Sequence, residues 1–209
     1  MSKLVYCIRH GLAEHNINYF KYGSKTFYDP KFTDTCLVQE GIEQATNLRD
    51  KWLISSNKES SNKESFNPSN IELVIISPLM RTLQTADILF KGLNIPMIAL
   101  ECVREYPCGL HTCNKRSSKD EYKKLFPSVD FSDLQTNYDE AWFPLREETI
   151  DELNIRIETF KKFIQSRSET NIAFVNHNSF IGQMKDQEIK YMDNGLEELQ
   201  HCHPYLIKL

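Results

Sequence analysis

Three times in this chain a run of apolar residues stops abruptly at a polar turn. Leu4-Val5-Tyr6-Cys7-Ile8 gives way to Arg9-His10-Gly11; Ile71 to Ile76, apolar but for Glu72, gives way to Ser77-Pro78; and Ile172-Ala173-Phe174-Val175 gives way to Asn176-His177. Short apolar runs without polar alternation read as strands buried on both faces, which is the pattern of a parallel sheet covered by helices. Such sheets bind ligands in the crevice beyond the carboxyl ends of their strands. The residues at these three stops are therefore the first candidates for chemistry.

At the first stop Arg9, His10 and Gly11 put a cation, a nitrogen nucleophile and a flexible turn in one place, with Asn16 a few residues on. At the second, Ser77 reads as the N-cap of a helix and Pro78 as its first residue, where a missing N–H costs nothing. Leu79, Leu83, Ala86 and Phe90 mark that helix's buried stripe, and Arg81 lies off the stripe in the first turn. Arginine suits phosphate because its planar fork donates parallel charge-assisted hydrogen bonds. At the third, His177 sits at the turn into another helix. The stretch from Cys102 to Arg116 has no strand or helix period, so it reads as a loop, and within it Glu105 is the candidate acid.

These motifs, in this order, resemble the histidine phosphatase superfamily, in the branch that includes cofactor-dependent phosphoglycerate mutases. The hallmarks are Arg9-His10-Gly11 with Asn16, the Ser-Pro-x-x-Arg-x-x-Gln-Thr-Ala stretch from Ser77 to Ala86, and the Val-x-His turn at His177. Within the branch the chain is most similar to small phosphoglycerate-mutase-like proteins of plants, fungi and protists. The shared features are Arg104-Glu105, Gly109-x-His111-x-Cys113, Arg116, Phe126-Pro127, Asp130-Phe131-Ser132, Trp142 and Arg146-Glu147, with a fainter echo over 194–197. The chain departs from the pattern at Val38, where a capping threonine is usual and its loss costs roughly 1 kcal/mol. Asn114, Asn176 and Asn178 also stand where the branch tends to have other residues.

The resemblance implies phosphoryl transfer through a phosphohistidine on His10, with Arg9, Arg81 and His177 steadying the charge on the phosphoryl oxygens. Asn16 would add a hydrogen bond. Glu105 would protonate the leaving alcohol and then deprotonate water, which calls for a carboxyl kept protonated by partial burial. Lys115 and Arg116 are assigned to the rest of an anionic substrate. No metal and no cofactor is called for. Hydrolysis of a small phosphorylated substrate is the favoured activity, because glycolytic mutases of the branch are longer and carry extra loops. Mutase-type transfer and a noncatalytic phospho-ligand binding protein are the alternatives.

Composition bounds the rest. With 209 residues and 40% apolar content, one domain over 1–209 with a full core is expected. A net charge of −4 speaks against nucleic-acid and membrane partners, and nothing in it sets an oligomeric state. With no early apolar run as long as a signal peptide's, the chain reads as cytoplasmic, and its six cysteines as free thiols. The clusters Cys108-His111-Cys113 and His201-Cys202-His203 miss zinc spacings, and Tyr22-Gly23-Ser24-Lys25 lacks the earlier glycine of a nucleotide-binding loop.

The predicted fold is α/β: a three-layer α/β/α sandwich about a mostly parallel sheet, with strands near 3–8, 71–76, 95–100 and 171–176. A helix spans Gln39 to Leu53, burying Ile42, Ala45, Leu48, Trp52 and Leu53. Another opens at Thr149-x-x-Glu152, a capping box like Ser118-x-x-Glu121, and buries Ile150, Leu153, Ile157, Phe160 and Ile164. The repeat Ser56-Asn-Lys-Glu-Ser60, Ser61-Asn-Lys-Glu-Ser65 has nothing to bury, so 55–70 reads as a mobile polar loop. The aromatic-rich segment 106–146 reads as an inserted lid over the strand ends, and the C-terminal stretch as an edge strand that tolerates Pro204.

Overall fold

The computed structural model describes residues 2–56, 70–186, 188–189 and 198–209. Its strands are β1 (Leu4–Arg9), β2 (Leu73–Ile76), β3 (Met97–Ala99), β4 (Val129–Asp130), β5 (Asn171–Asn176) and β6 (Pro204–Lys208). Its helices are α1 (Glu14–Tyr22), α2 (Gln39–Ser56), α3 (Met80–Phe90), α4 (Lys119–Leu125), α5 (Ile150–Ser166) and α6 (Asn178–Asp186). The strands form one sheet in the order β4-β3-β2-β5-β1-β6. Five run parallel, and β6 lies antiparallel along β1 at the edge, starting at Pro204.

Successive strand residues point to opposite faces, and both faces are covered. Tyr6, Ile8, Val74, Ile76, Ala173 and Val175 pack with Leu48 and Trp52 of α2 and Leu83 and Phe90 of α3. Val5, Cys7, Leu73, Ile75, Ile172 and Phe174 pack with Leu153, Ile157, Phe160 and Ile164 of α5 and with Phe180 of α6. Each apolar run is continuous because each strand faces helices on both sides. The sandwich is three-layered, as its sequence pattern predicts.

The register matters most for function. Arg9 pairs with Asn176 across β1 and β5, and Ile76 with Val175 across β2 and β5. His10 donates its N–H to Asn176 O (2.9 Å) and Ser77 donates to Val175 O (3.2 Å), so the three polar stops lie side by side. β5 returns late in the chain and inserts between β1 and β2, which makes the carboxyl ends of these strands the sheet's topological switch point.

Several local expectations are corrected. The helix after β2 opens at Met80, with Leu79 at the N-cap position, and Ser77 and Pro78 precede it. The cap comes from outside: Asp34 Oδ1 accepts from Met80 N–H at 2.8 Å. Ile42 and Ile150, expected inside, are about 40% exposed, at 39% and 40%, because each sits in the first turn of its helix, beyond the reach of the sheet. α2 also runs two residues into the span expected as a loop, and the remainder to 69 lies outside the described residues, as do 194–197.

The Thr149 capping box forms as expected, Thr149 Oγ1 accepting from Glu152 N–H and Glu152 accepting from Thr149 N–H at 2.9 Å. Segment 106–146 contributes α4 and the edge strand β4, and its Tyr122, Phe126 and Phe131 belong to the core. No helix among the described residues is long and apolar enough to cross a membrane.

Candidate active site

The turn after β1 runs tightly under the start of α2. A Cβ on Gly11 would stand 2.5 Å from Gly41 O, and one on Gly41 would stand 2.1 Å from Leu12 O. Two glycines facing each other let this turn fold back without a side chain between the backbones. Val38, lacking a capping hydroxyl, is held by its backbone alone, donating to Leu12 O at 3.0 Å. The turn presents His10 inward, only 2% exposed.

The tautomer of His10 is dictated by its neighbours. Nδ1 lies 2.7 Å from Gly11 O, and a carbonyl only accepts, so Nδ1 carries the proton. Nε2 is left as a lone pair, and Arg81 donates Nε–H to it at 3.3 Å. Burial, then the positive charge of Arg81, hold His10 well below the usual histidine range, so the ring is neutral. A neutral imidazole with Nε2 free is the nucleophilic form.

Arg81 reaches the site from the first turn of α3. It is buried and also donates to Cys113 O (2.6 Å) and Asn114 Oδ1 (2.9 Å). Asn114 is neutral, so this partner leaves the guanidinium charge uncancelled. Arg9 pairs with Glu198 and Leu199 O, both at 2.7 Å. His177 Nε2 lies 2.7 Å from Ser77 Oγ, which is where the serine's hydroxyl goes instead of capping a helix. Where the serine donates to Nε2 the proton stands on Nδ1, and where it accepts Nδ1 is left as a lone pair. Arg9 Nε and His177 Nδ1 are both buried without a hydrogen-bond partner. An unpaired buried donor costs about 1–3 kcal/mol, and an anion's oxygens satisfy such donors. Two unpartnered buried nitrogens beside a neutral imidazole and a buried guanidinium suit the oxygens of an anion such as phosphate.

Two members of the cluster escaped the sequence reading. His15 and His201 ring His10 at centroid distances of 6.0 and 5.5 Å, with His177 at 5.2 Å. His201 Nδ1 donates to His10 O (2.6 Å), and His15 Nδ1 lies 2.6 Å from Thr35 Oγ1. Burial depresses His15 and His177 well below the usual range and takes His201 down to about 3, so these rings are neutral. His177 is thus a neutral ring. His15 stands beside Asn16 in sequence, and that was the available signal. His201 had none, since its place depends on β6 returning beside β1.

Glu105 is half-buried at the start of α6, its carboxylate accepting from Tyr106 N–H (2.8 Å), Ser179 N–H (3.3 Å) and Phe180 N–H (3.2 Å). Burial nevertheless raises its carboxyl above the usual glutamate range, against those N–H groups and the pull of Arg81. Asn16 lines the adjoining cleft, its Oδ1 fixed by Ala13 N–H at 3.0 Å.

Lys115 and Arg116 are not brought to this site. Lys115 Nζ lies over the Trp142 ring at 4.9 Å. Arg116 spends all five donors on Glu101 and on the carbonyls of Ser117, Thr136, Asn137 and Tyr138, fastening segment 106–146 to itself and to Glu101. Among the described residues no group of three His, Cys, Asp or Glu side chains is arranged to hold a metal.

The sequence model of the Histidine phosphatase superfamily (branch 1) matches residues 5–204. Phosphoglycerate mutase-like protein 1 of Arabidopsis thaliana is 35% identical over 235 aligned positions, spanning 97% of this chain and 74% of its own. A phosphoglycerate mutase from Bacillus anthracis superposes with a TM-score of 0.59 at 17% identity, covering 100% of this chain and 88% of that one. The ecdysone phosphate phosphatase of Bombix mori, solved with tungstate, superposes at 0.56 with 14% identity, covering 98% and 88%. At such identities the two structures speak for the fold.

Proposed function

The chain belongs to the histidine phosphatase superfamily, branch 1, and on that premise we propose that it hydrolyses phosphomonoesters through a phosphohistidine on His10. The observation that carries this reading is the fixed tautomer of His10, with Nδ1–H tied to Gly11 O and Nε2 open beside Arg81. Nε2 attacks phosphorus as the bond from phosphorus to the ester oxygen breaks, and Glu105 gives its proton to the departing alkoxide. Water then attacks the phosphohistidine, Glu105 takes a proton from it, and inorganic phosphate leaves with His10 restored.

Arg81, Arg9 Nε and the N–H of His177 meet the phosphoryl oxygens, where transition-state charge is spread. Asn16 donates from the cleft side. The balance of charge at Glu105, raised by burial, supports its holding a proton for the first step. Mutase-type transfer would use the same phosphohistidine and return the phosphoryl group to a sugar-acid hydroxyl; the similarity to mutase-like proteins is what favours that second reading.

The test is phosphate release from p-nitrophenyl phosphate and a panel of phosphomonoesters, with EDTA present and 3-phosphoglycerate and bisphosphoglycerate included. Turnover should survive EDTA and fall roughly a thousandfold or more in His10→Ala, whose thermal midpoint stays near wild type. Undiminished turnover in that variant would move the nucleophile elsewhere. Conversion of 3- to 2-phosphoglycerate without phosphate release would establish the mutase.

A further inference from the structure

Above the phosphate seat opens a cleft of about 500 Å³, in the size range of small-molecule sites. Arg9 and His201 both line it, and the His201 ring lies 5.5 Å from that of His10, so the cleft adjoins the phosphate seat. Its walls are aromatic. Tyr19 of α1 stacks on Phe27 (5.1 Å, 18° between planes), and Phe27 stacks on His111 (4.9 Å, 20°). Tyr28 meets His111 edge-on at 5.2 Å, while Phe20 and Tyr106 complete the lining. Phe20 and Tyr28 remain 65% and 48% exposed. Large rings left in water at the mouth of a cleft mark a surface meant to be covered.

Charge narrows the choice further. Among the described residues lining the cleft there is one cation, Arg9, against two carboxylates, Glu147 and Glu198. Arg9 is already paired with Glu198 and serves the phosphoryl group. Burial keeps His111 and His201 below the usual histidine range, so neither adds positive charge. Glu147 stands at the wall, accepting from Tyr28 OH at 3.0 Å. Lys115 and Arg116 face other partners. A second anionic group on the substrate would meet the Glu147 carboxylate, with Glu198 already paired to Arg9, and no spare cation.

We infer that the substrate is a phosphate ester of a bulky, flat, apolar alcohol carrying no further negative charge, packed against the aromatic wall of Phe20, Tyr28 and the Tyr19-Phe27-His111 stack. This rests on His10 as the phosphoryl acceptor and deepens that reading. It sets phosphoglycerates, small and carboxylated, among the poorest esters. Stacking and burial of a ring act on the ground state and the transition state alike, so the preference is expressed in KM.

The test uses primary alkyl esters of similar leaving-group acidity: ethyl, benzyl, 4-carboxybenzyl and 2-naphthylmethyl phosphate, with 3-phosphoglycerate. From ethyl to 2-naphthylmethyl phosphate kcat/KM should rise by about tenfold or more, through KM. The 4-carboxybenzyl ester should fall several-fold below benzyl. Phe27→Leu, which keeps bulk but breaks the aromatic stack, and the exposed Tyr28→Ala should each shrink the naphthyl preference. Glu147→Gln should restore part of the loss with the carboxylated ester. Equal kcat/KM across the series, or preference for 3-phosphoglycerate, overturns the inference while leaving the phosphatase intact. If nothing is hydrolysed, p-nitrophenyl phosphate included, the nucleophile reading fails. Calorimetric binding of 2-naphthylmethylphosphonate against phosphonoacetate then reads the cleft alone: tighter binding of the ring sustains its chemistry, and equal affinity removes it.

Discussion

At the scale of single residues, burial converts ordinary side chains into reactive ones. His10 is neutral because water is excluded and Arg81 is close, and its proton sits on Nδ1 because Gly11 O can only accept. Glu105 feels the opposite consequence of the same burial, which favours its protonated form. A pH dependence follows. On the proposed mechanism His10 stays neutral into acid, whereas the proton Glu105 would donate is lost as pH rises through its raised value. For an alkyl phosphate kcat/KM should therefore decline on the alkaline side, with Glu105→Gln about 10²- to 10⁴-fold slower. p-Nitrophenyl phosphate, whose leaving group needs little protonation, should lose much less. Equal losses on both esters would assign the acid to another group.

At the scale of elements, the site depends on a carboxylate in the loop before α2. Asp34 accepts from Met80 N–H (2.8 Å), Ser117 N–H (3.0 Å) and Tyr122 OH (2.6 Å). It caps the helix that carries Arg81 and ties the same helix to segment 106–146. Asp34→Ala should cost about 2–4 kcal/mol, a lost cap plus buried hydrogen bonds to a charged acceptor. Because the first turn of α3 is freed, kcat should fall as well, whereas Asp34→Asn, retaining an acceptor oxygen, should recover part of both. Denaturant unfolding and steady-state kinetics on the pair read this directly, and an undisturbed kcat in Asp34→Ala would show that Arg81 is positioned by other contacts. Arg116 plays a similar architectural part, which is why a cation expected at the substrate is found fastening a loop.

At the scale of the whole molecule, five of the six histidines are held below their ordinary value by burial. The unfolded chain takes up protons below pH 6.5 that the folded chain refuses, so stability is full above that value and falls as the pH drops. Glu105 works the other way, since its raised value lets the folded state bind a proton first, but it is one group against five. The midpoint of urea unfolding should decline steadily from pH 7 to pH 5. Each fully suppressed histidine contributes up to about 1.4 kcal/mol per pH unit. A flat profile over that range would mean that the histidines are solvated and that the closed cluster around His10 opens freely.

Much of this was legible in the linear chain, for a physical reason. A strand buried on both faces must be continuously apolar, so β1, β2 and β5 and the polar stops that end them announce themselves, and with them His10, Arg81 and His177. Long amphipathic helices such as α5 are equally plain, since one face meets the sheet. The rest depends on contacts between distant segments, which leave no local pattern. Ser77 looked like a cap until the register of β2 and β5 set its hydroxyl against His177. Asp34 reached α3 from 46 residues away, and His201 joined His10 through a returning edge strand. Lys115 and Arg116 carried the right charge at the right place in sequence, but where a long side chain spends its donors is decided by whichever acceptors the fold brings within reach. The residue types and strand ends were thus determined by the sequence alone. Their tautomers, their charges and the aromatic, carboxylate-bearing cleft above them were decided by the tertiary structure, because exclusion of water and distance between groups exist only once the chain has closed.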